Sequence, residues 1–209
     1  MKFFDCATAP SPRRVRIFLA EKGLDIETVQ VDLRTGEQFS DDFRAINPDC
    51  AVPALQLDDG SCISEVTAIC QFFEEYKPEP TLWGRDAAER ARATMWNAKI
   101  EQQGLLGMAE ALRNSSQRMQ GRALPGPDSY EQIPALAERG RARVAAFLLR
   151  LDEQLAGQEF VSGDIYTIAD ITALVLVDFA AWLKISPPDT ASELRRWHQA
   201  VSARPSASA

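Results

Sequence analysis

From Lys2 the chain runs apolar through Phe3 and Phe4, breaks at Pro10 and Pro12, then sets Val15, Phe18 and Leu19 on one helical face that ends at Lys22-Gly23. The pattern predicts a strand, a turn and a helix. Ile26 to Asp32 ("IETVQVD") alternates at period two, as a half-buried strand does. After the polar "LRTGEQ", a short helix through Phe39, Phe43 and Ile46 is expected to stop at Asn47-Pro48, because a proline drives the residue before it out of helical backbone. "VPALQLDDGSCISE" reads as two strands turning at Asp59-Gly60, where glycine tolerates the positive φ of a tight hairpin. Ala68, Ile69, Phe72, Phe73 and Tyr76 then recur at helical spacing before Pro78, completing the order βαβαββα.

Beyond the Pro- and Gly-punctuated "KPEPTLWGRD" no strand signal remains. Residues 87–114 read as helix and "PGPDSYEQIP" as a loop, while Val144, Phe147, Leu148, Leu151 and Leu155 mark a further helical stripe. "ADITALVLVDFAAWL" is apolar nearly all round, as suits a helix at the centre of a bundle, and a last helix carries Leu194, Trp197 and Val201. The expected fold class is α/β followed by all-α. The expected domains are residues 1–77, a linker at 78–86, and a helical domain at 87–209.

The net charge of -7 gives the chain no general attraction for nucleic acid phosphates or anionic lipid. The four cysteines, Cys6, Cys50, Cys62 and Cys70, show neither a C-x-x-C nor a zinc spacing, and a single histidine, His198, leaves no His-based metal site. The first ten residues are too short and polar for a secretory signal, and no apolar run approaches the ~20 residues of a membrane span. A reducing cytoplasm with free thiols is the expected setting.

Four local features carry candidate chemistry. Ser11-Pro12 suits an N-cap followed by a first helical residue, and that helix end favours an anion; Arg13 and Arg14 there either answer an anionic partner or turn outward. Val52-Pro53 reads as an ordinary strand start. Ser64, Glu65 and Thr67 stand where a strand enters a helix, either as caps or as a receiver for an α-amino, α-carboxylate group. Thr167-Ile-Ala-Asp170 fits a capping box and is read as structural.

Taken together, "PRRVRIFLAEKGL", "NPDCAVPALQLDDG", "SEVTAICQFFEE", "FVSGDIYTIADI" and "LRRWHQAVSARPS" resemble the glutathione transferase family over nearly the whole chain, and are most similar to a fungal and bacterial branch lacking the usual catalytic Tyr, Ser or Cys. The resemblance implies a thioredoxin-like first domain that holds glutathione as co-substrate, a helical second domain and a homodimer. It raises Val52-Pro53 to an expected cis bond, with the Val52 backbone pairing to the cysteinyl part of glutathione like an added strand. Glu65 and Val66, helped by Thr67, are expected at the γ-glutamyl end, and Gln38 at the glycyl carboxylate.

The departures from the family are specific. Its catalytic Ser would fall at Ala9, which cannot donate to a thiolate; Val66 replaces a usual Ser; and Cys50 replaces a usual Gly, so a positive φ there is absent or strained. Cys6 lies back in the strand as a small core side chain. Activation of the thiol then falls to Ser11 and the helix N-terminus, with Glu110 and Asn114, four apart on one helical face, as polar groups matching positions that hold water near the sulfur. Leu106, Met108, Ala109, Leu112 and Arg113 are expected to line a pocket for a small apolar electrophile, with no metal. The alternatives are a non-catalytic adaptor of the same fold, as among transferase-like regulators of bacterial transcription, and a thiol-disulfide or peroxidase enzyme, disfavoured because no Cys begins a helix.

Overall fold

In the computed structural model, which describes all 209 residues, four short strands pair in the order β2-β1-β3-β4. β1 (Lys2–Asp5) is parallel to β2 (Glu27–Gln30) and antiparallel to β3 (Ala54–Gln56), which pairs antiparallel with β4 (Cys62–Ser64). α1 (Pro10–Lys22) joins β1 to β2 and stops at Gly23, whose φ of 58° lets Gly23 and Leu24 return N–H bonds to Ala20 and Leu19. α2 (Asp41–Ile46) is capped by Ser40, whose Oγ accepts from the Phe43 N–H at 3.2 Å. Phe39, expected in that helix, instead closes a separate 3-10 turn, Glu37–Phe39. The hairpin turns at Asp59-Gly60, with Gly60 at φ 87°. α3 (Val66–Tyr76) then packs on α1.

The chain divides into two compact units at Pro80–Thr81: residues 1–80 with 125–128 and 209, and residues 81–124 with 129–208. In the second, α4 (Ala87–Lys99) and α5 (Leu106–Arg113) are joined by a π-helical turn, Ile100–Leu105, so the single helix expected there carries one wider turn in its middle. Arg143 of α6 (Pro134–Leu155) donates to the Gln102 carbonyl in that turn at 2.5 Å. Gly104 and Gly140 permit this packing: a Cβ on Gly104 would lie 2.3 Å from Leu176, and one on Gly140 would lie 2.5 Å from the Gly107 carbonyl.

α7 (Ile168–Trp182) is buried along nearly its whole length, and α8 (Ser192–Ser202) covers it with Leu194, Trp197 and Val201. The capping box at Thr167 and Asp170 is present as the spacing predicts. No helix is long and apolar enough to cross a membrane.

Candidate functional site

Strand register places the candidate segments of the first unit at one end of the sheet. Phe4 pairs with Val29 on one side and Ala54 on the other, and Ala54 pairs with Ser64. Just beyond this row the chain leaves β1 as Cys6–Ala9, leaves β2 toward the turn bearing Gln38, enters β3 through Val52-Pro53, and leaves β4 at Glu65. This end lies at the carboxyl ends of the parallel pair, where α/β sheets commonly hold ligands.

At the start of α1 the structure corrects the expected cap. Ala9 is the N-cap, with φ -95° and ψ 141°, and the helix begins at Pro10, so Ser11 lies inside the first turn. Two prolines offer the fixed φ that a first turn accepts, and the earlier one sets the boundary. The consequence is chemical. Pro10 and Pro12 carry no N–H, and the Arg13 N–H closes onto the Ala9 carbonyl at 3.3 Å, leaving the Ser11 N–H as the open backbone donor of this helix end. Arg14 does not turn outward: it is buried, and its Nη2 donates to Ser11 Oγ at 3.4 Å.

Val52-Pro53 is cis, and the Val52 backbone makes no hydrogen bond, so its N–H and carbonyl are open to an added strand. The loop before it is held by Asn47, a buried residue whose only sequence signal is that of a helix stop: Nδ2 donates to the Ala51 carbonyl at 2.8 Å and Oδ1 accepts from the Asp49 N–H at 3.2 Å. Cys50 adopts φ 51°, so the left-handed backbone a glycine would take freely is kept here by a residue for which it is strained. Glu65 also has positive φ, 69° with ψ 129°, a conformation that costs a residue with a side chain on the order of 1–3 kcal/mol and concentrates at ligand sites. It leaves the Glu65 carboxylate exposed at the head of α3, while Val66 turns into the core at 3% exposure and Thr67 is half-buried. Gln38 is 2% exposed with its Oε1 lacking any partner, an uncommon state for a buried amide.

In the second unit, Glu110 and Asn114 share a face as their spacing predicts, but that face is already engaged. Glu110 accepts from Arg139 at 2.7 Å and from Arg143 at 3.0 Å, both on α6. Burial alone would raise its carboxyl, yet the two arginines hold it below the ordinary value. Asn114 is buried, donating to the Glu110 carbonyl and accepting from the Ile133 N–H, each at 2.9 Å. Both side chains therefore fasten α5 to its neighbours. The five expected pocket residues divide: Leu106, Ala109 and Arg113 lie on one side of α5, whereas Met108 and Leu112 lie a partial turn away, with Met108 buried in the core. Arg113 Nη1 donates to the Arg122 carbonyl at 3.0 Å.

Comparison with known proteins gives the fold a family. Residues 8–76 match the model of the glutathione S-transferase N-terminal domain, and residues 116–205 that of the C-terminal domain. Glutathione S-transferase 2 of Saccharomyces cerevisiae is 31% identical over 209 residues, which cover 99% of this chain and 87% of the yeast protein. The chain belongs to the glutathione S-transferase family. Among solved structures, a glutathione S-transferase domain-containing protein of Marinobacter aquaeolei superposes with a TM-score of 0.90 at 36% identity over 99% of each chain. A Gtt2-class glutathione S-transferase of Vibrio parahaemolyticus gives 0.84 at 34% identity over 99% of this chain and 95% of its own.

As a glutathione S-transferase-family chain it thus has the thioredoxin-like first domain and helical second domain expected of it. Ala9 still brings no hydroxyl to the head of α1. The inward turn of Val66 gives a physical reason for a second departure: that position serves the core.

Proposed function

We propose that this chain is a glutathione transferase that presents the glutathione thiolate to a small apolar electrophile. The observation that carries the reading is that the chain leaves β1 as Cys6–Ala9, enters β3 through Val52-Pro53 and leaves β4 at Glu65 at one end of the sheet, with the open N–H groups of Ser11 and Val52 in or just after those segments. In this reading the Val52 backbone pairs with the cysteinyl unit. Glu65 meets the α-amino group, the N–H groups of Val66 and Thr67 meet the γ-glutamyl carboxylate, and Gln38 meets the glycyl carboxylate. Ser11 receives the sulfur through its backbone N–H, at a helix end whose dipole favours the anion.

The thiol gives up its proton to solvent. The thiolate then forms a C–S bond at the electrophilic carbon, and either a leaving group departs with its bonding pair or, in an addition, a proton is taken up beside the new bond. Leu106, Ala109, Leu112 and Arg113 are proposed to border the electrophile. Glu110 and Asn114 are assigned no part in thiol activation, because their polar groups are spent on α6 and the following loop. A homodimer in the cytoplasm belongs to the same reading. Ala9 and Val66 favour a second one, an adaptor of this fold without turnover.

Conjugation of glutathione to chlorodinitrobenzene separates the two. The wild-type protein is expected to exceed the uncatalysed rate, and Ser11→Ala, which keeps the N–H, to stay within about tenfold of it, well short of the 10²–10³ that loss of a key anion donor costs. No rate above background would remove the transferase reading and leave the adaptor. A hundredfold loss in Ser11→Ala would move activation from the N–H to the hydroxyl.

A further inference from the structure

The turn that aims the Ser11 N–H is held by a closed ring of polar contacts. Asp5, the last residue of β1, is 1% exposed, and both of its carboxylate oxygens are used: Oδ1 accepts from Arg16 Nη1 and Oδ2 from Gln30 Nε2, each at 2.6 Å. Arg16, on the second turn of α1, reaches back along the helix, so that its Nη2 donates to the Ala7 carbonyl at 3.1 Å and its Nη1 also faces the Cys6 carbonyl at 3.5 Å. Gln30, the last residue of β2, closes the ring, because its Oε1 accepts the Ala7 N–H at 3.0 Å. Inside the turn the Ala9 N–H bonds the Cys6 carbonyl at 2.9 Å. The four residues between β1 and α1 are thereby gripped from a strand on one side and from the helix they begin on the other.

We propose that Arg16, with Asp5 and Gln30, is a positioning residue for thiol activation, fixing the direction of the Ser11 N–H through the Cys6–Ala9 turn. The inference rests on the transferase reading and adds to it. A serine hydroxyl can rotate to find a sulfur, but a backbone N–H points where its turn places it. With Ala at position 9 the accuracy of that turn carries what a side chain would otherwise supply. The planar fork of arginine suits the task, since it spans a carboxylate and a carbonyl at fixed angles, which the single ammonium of lysine does not.

The test uses the full chain with Arg16→Lys, which keeps the charge, and Gln30→Ala, an exposed edge position where folding should be retained. Glutathione affinity, the ultraviolet titration of the bound thiol, and kcat and KM with chlorodinitrobenzene are measured for each. Affinity and KM are expected to stay within about threefold of wild type. The thiolate fraction of bound glutathione at neutral pH and kcat should both fall, by about tenfold to a hundredfold, the scale of a small misplacement at a reacting atom. Folded variants whose bound thiol titrates as in wild type would overturn the proposal and leave the transferase reading intact. A wild-type protein that binds no glutathione would overturn both.

Discussion

Asp170→Ala is expected to lower the stability of the second unit by about 3–5 kcal/mol, because the carboxylate is a fully buried hub for donors from three separate segments. Oδ1 accepts from the Val161 N–H and the Trp197 indole, both at 2.9 Å, and Oδ2 accepts from the Thr167 N–H at 3.0 Å and its hydroxyl at 3.2 Å. Removing it strands three buried N–H groups at once, where each costs about 1–3 kcal/mol. All four tryptophans, Trp83, Trp96, Trp182 and Trp197, lie in this unit, so urea unfolding followed by their fluorescence reads the effect directly. A loss under about 1 kcal/mol would contradict this account of the hub.

The pH dependence of that difference has a definite sign. Burial pushes the Asp170 carboxyl up to about 6 against the pull of its donors, above the 3.8 of the unfolded chain. The folded state therefore holds the proton more tightly. The carboxyl's contribution is full below 3.8 and declines as pH rises through about 6, so the advantage of wild type over Asp170→Ala should narrow across that interval.

Lys22→Ala should cost the first unit a similar 3–5 kcal/mol, since it breaks a buried ion pair by deleting one partner. The Lys22 side chain has no exposure. Its ammonium meets Glu74 at 2.6 Å and the carbonyls of Lys77, Pro78 and Pro80 at 2.8, 3.1 and 2.6 Å. It also sits in the last turn of α1, where a cation complements the helix dipole. Lys22→Met, which retains the apolar stem, should lose nearly as much as Lys22→Ala if the polar contacts carry the effect. Hydrogen exchange in α1 measures it. Because Lys22 lies at the opposite end of α1 from Ser11, glutathione affinity of the folded variant should be unchanged; a parallel loss of affinity would contradict this separation of roles.

Lys22 shows where legibility ends. Its place at the end of a helix was plain from Lys22-Gly23, but its partners lie more than fifty residues away, beyond the reach of periodicity. Asp5, Arg16 and Gln30 are the same case: Asp5 and Gln30 end ordinary-looking strands and Arg16 sits in the second turn of an ordinary-looking helix, and only the tertiary pairing of β1 with β2 and the return of α1 bring them together. The element order itself was legible because Gly23, Asn47-Pro48, Asp59-Gly60 and Pro78 punctuate it. The cap of α1 was misplaced by one proline, since Pro10 and Pro12 both fit a first helical turn. Glu110 and Asn114 were correctly put on one face, yet spacing does not say which neighbour a face meets, and here it is α6. The π-helical turn escaped because one wider turn scarcely disturbs an apolar stripe.

The sheet end bearing Ser11, Val52 and Glu65 is proposed to hold glutathione. Calorimetric titration of the wild-type protein with glutathione tests it most directly. Saturable binding by millimolar ligand is the predicted result, and the absence of any binding heat at that concentration would contradict it.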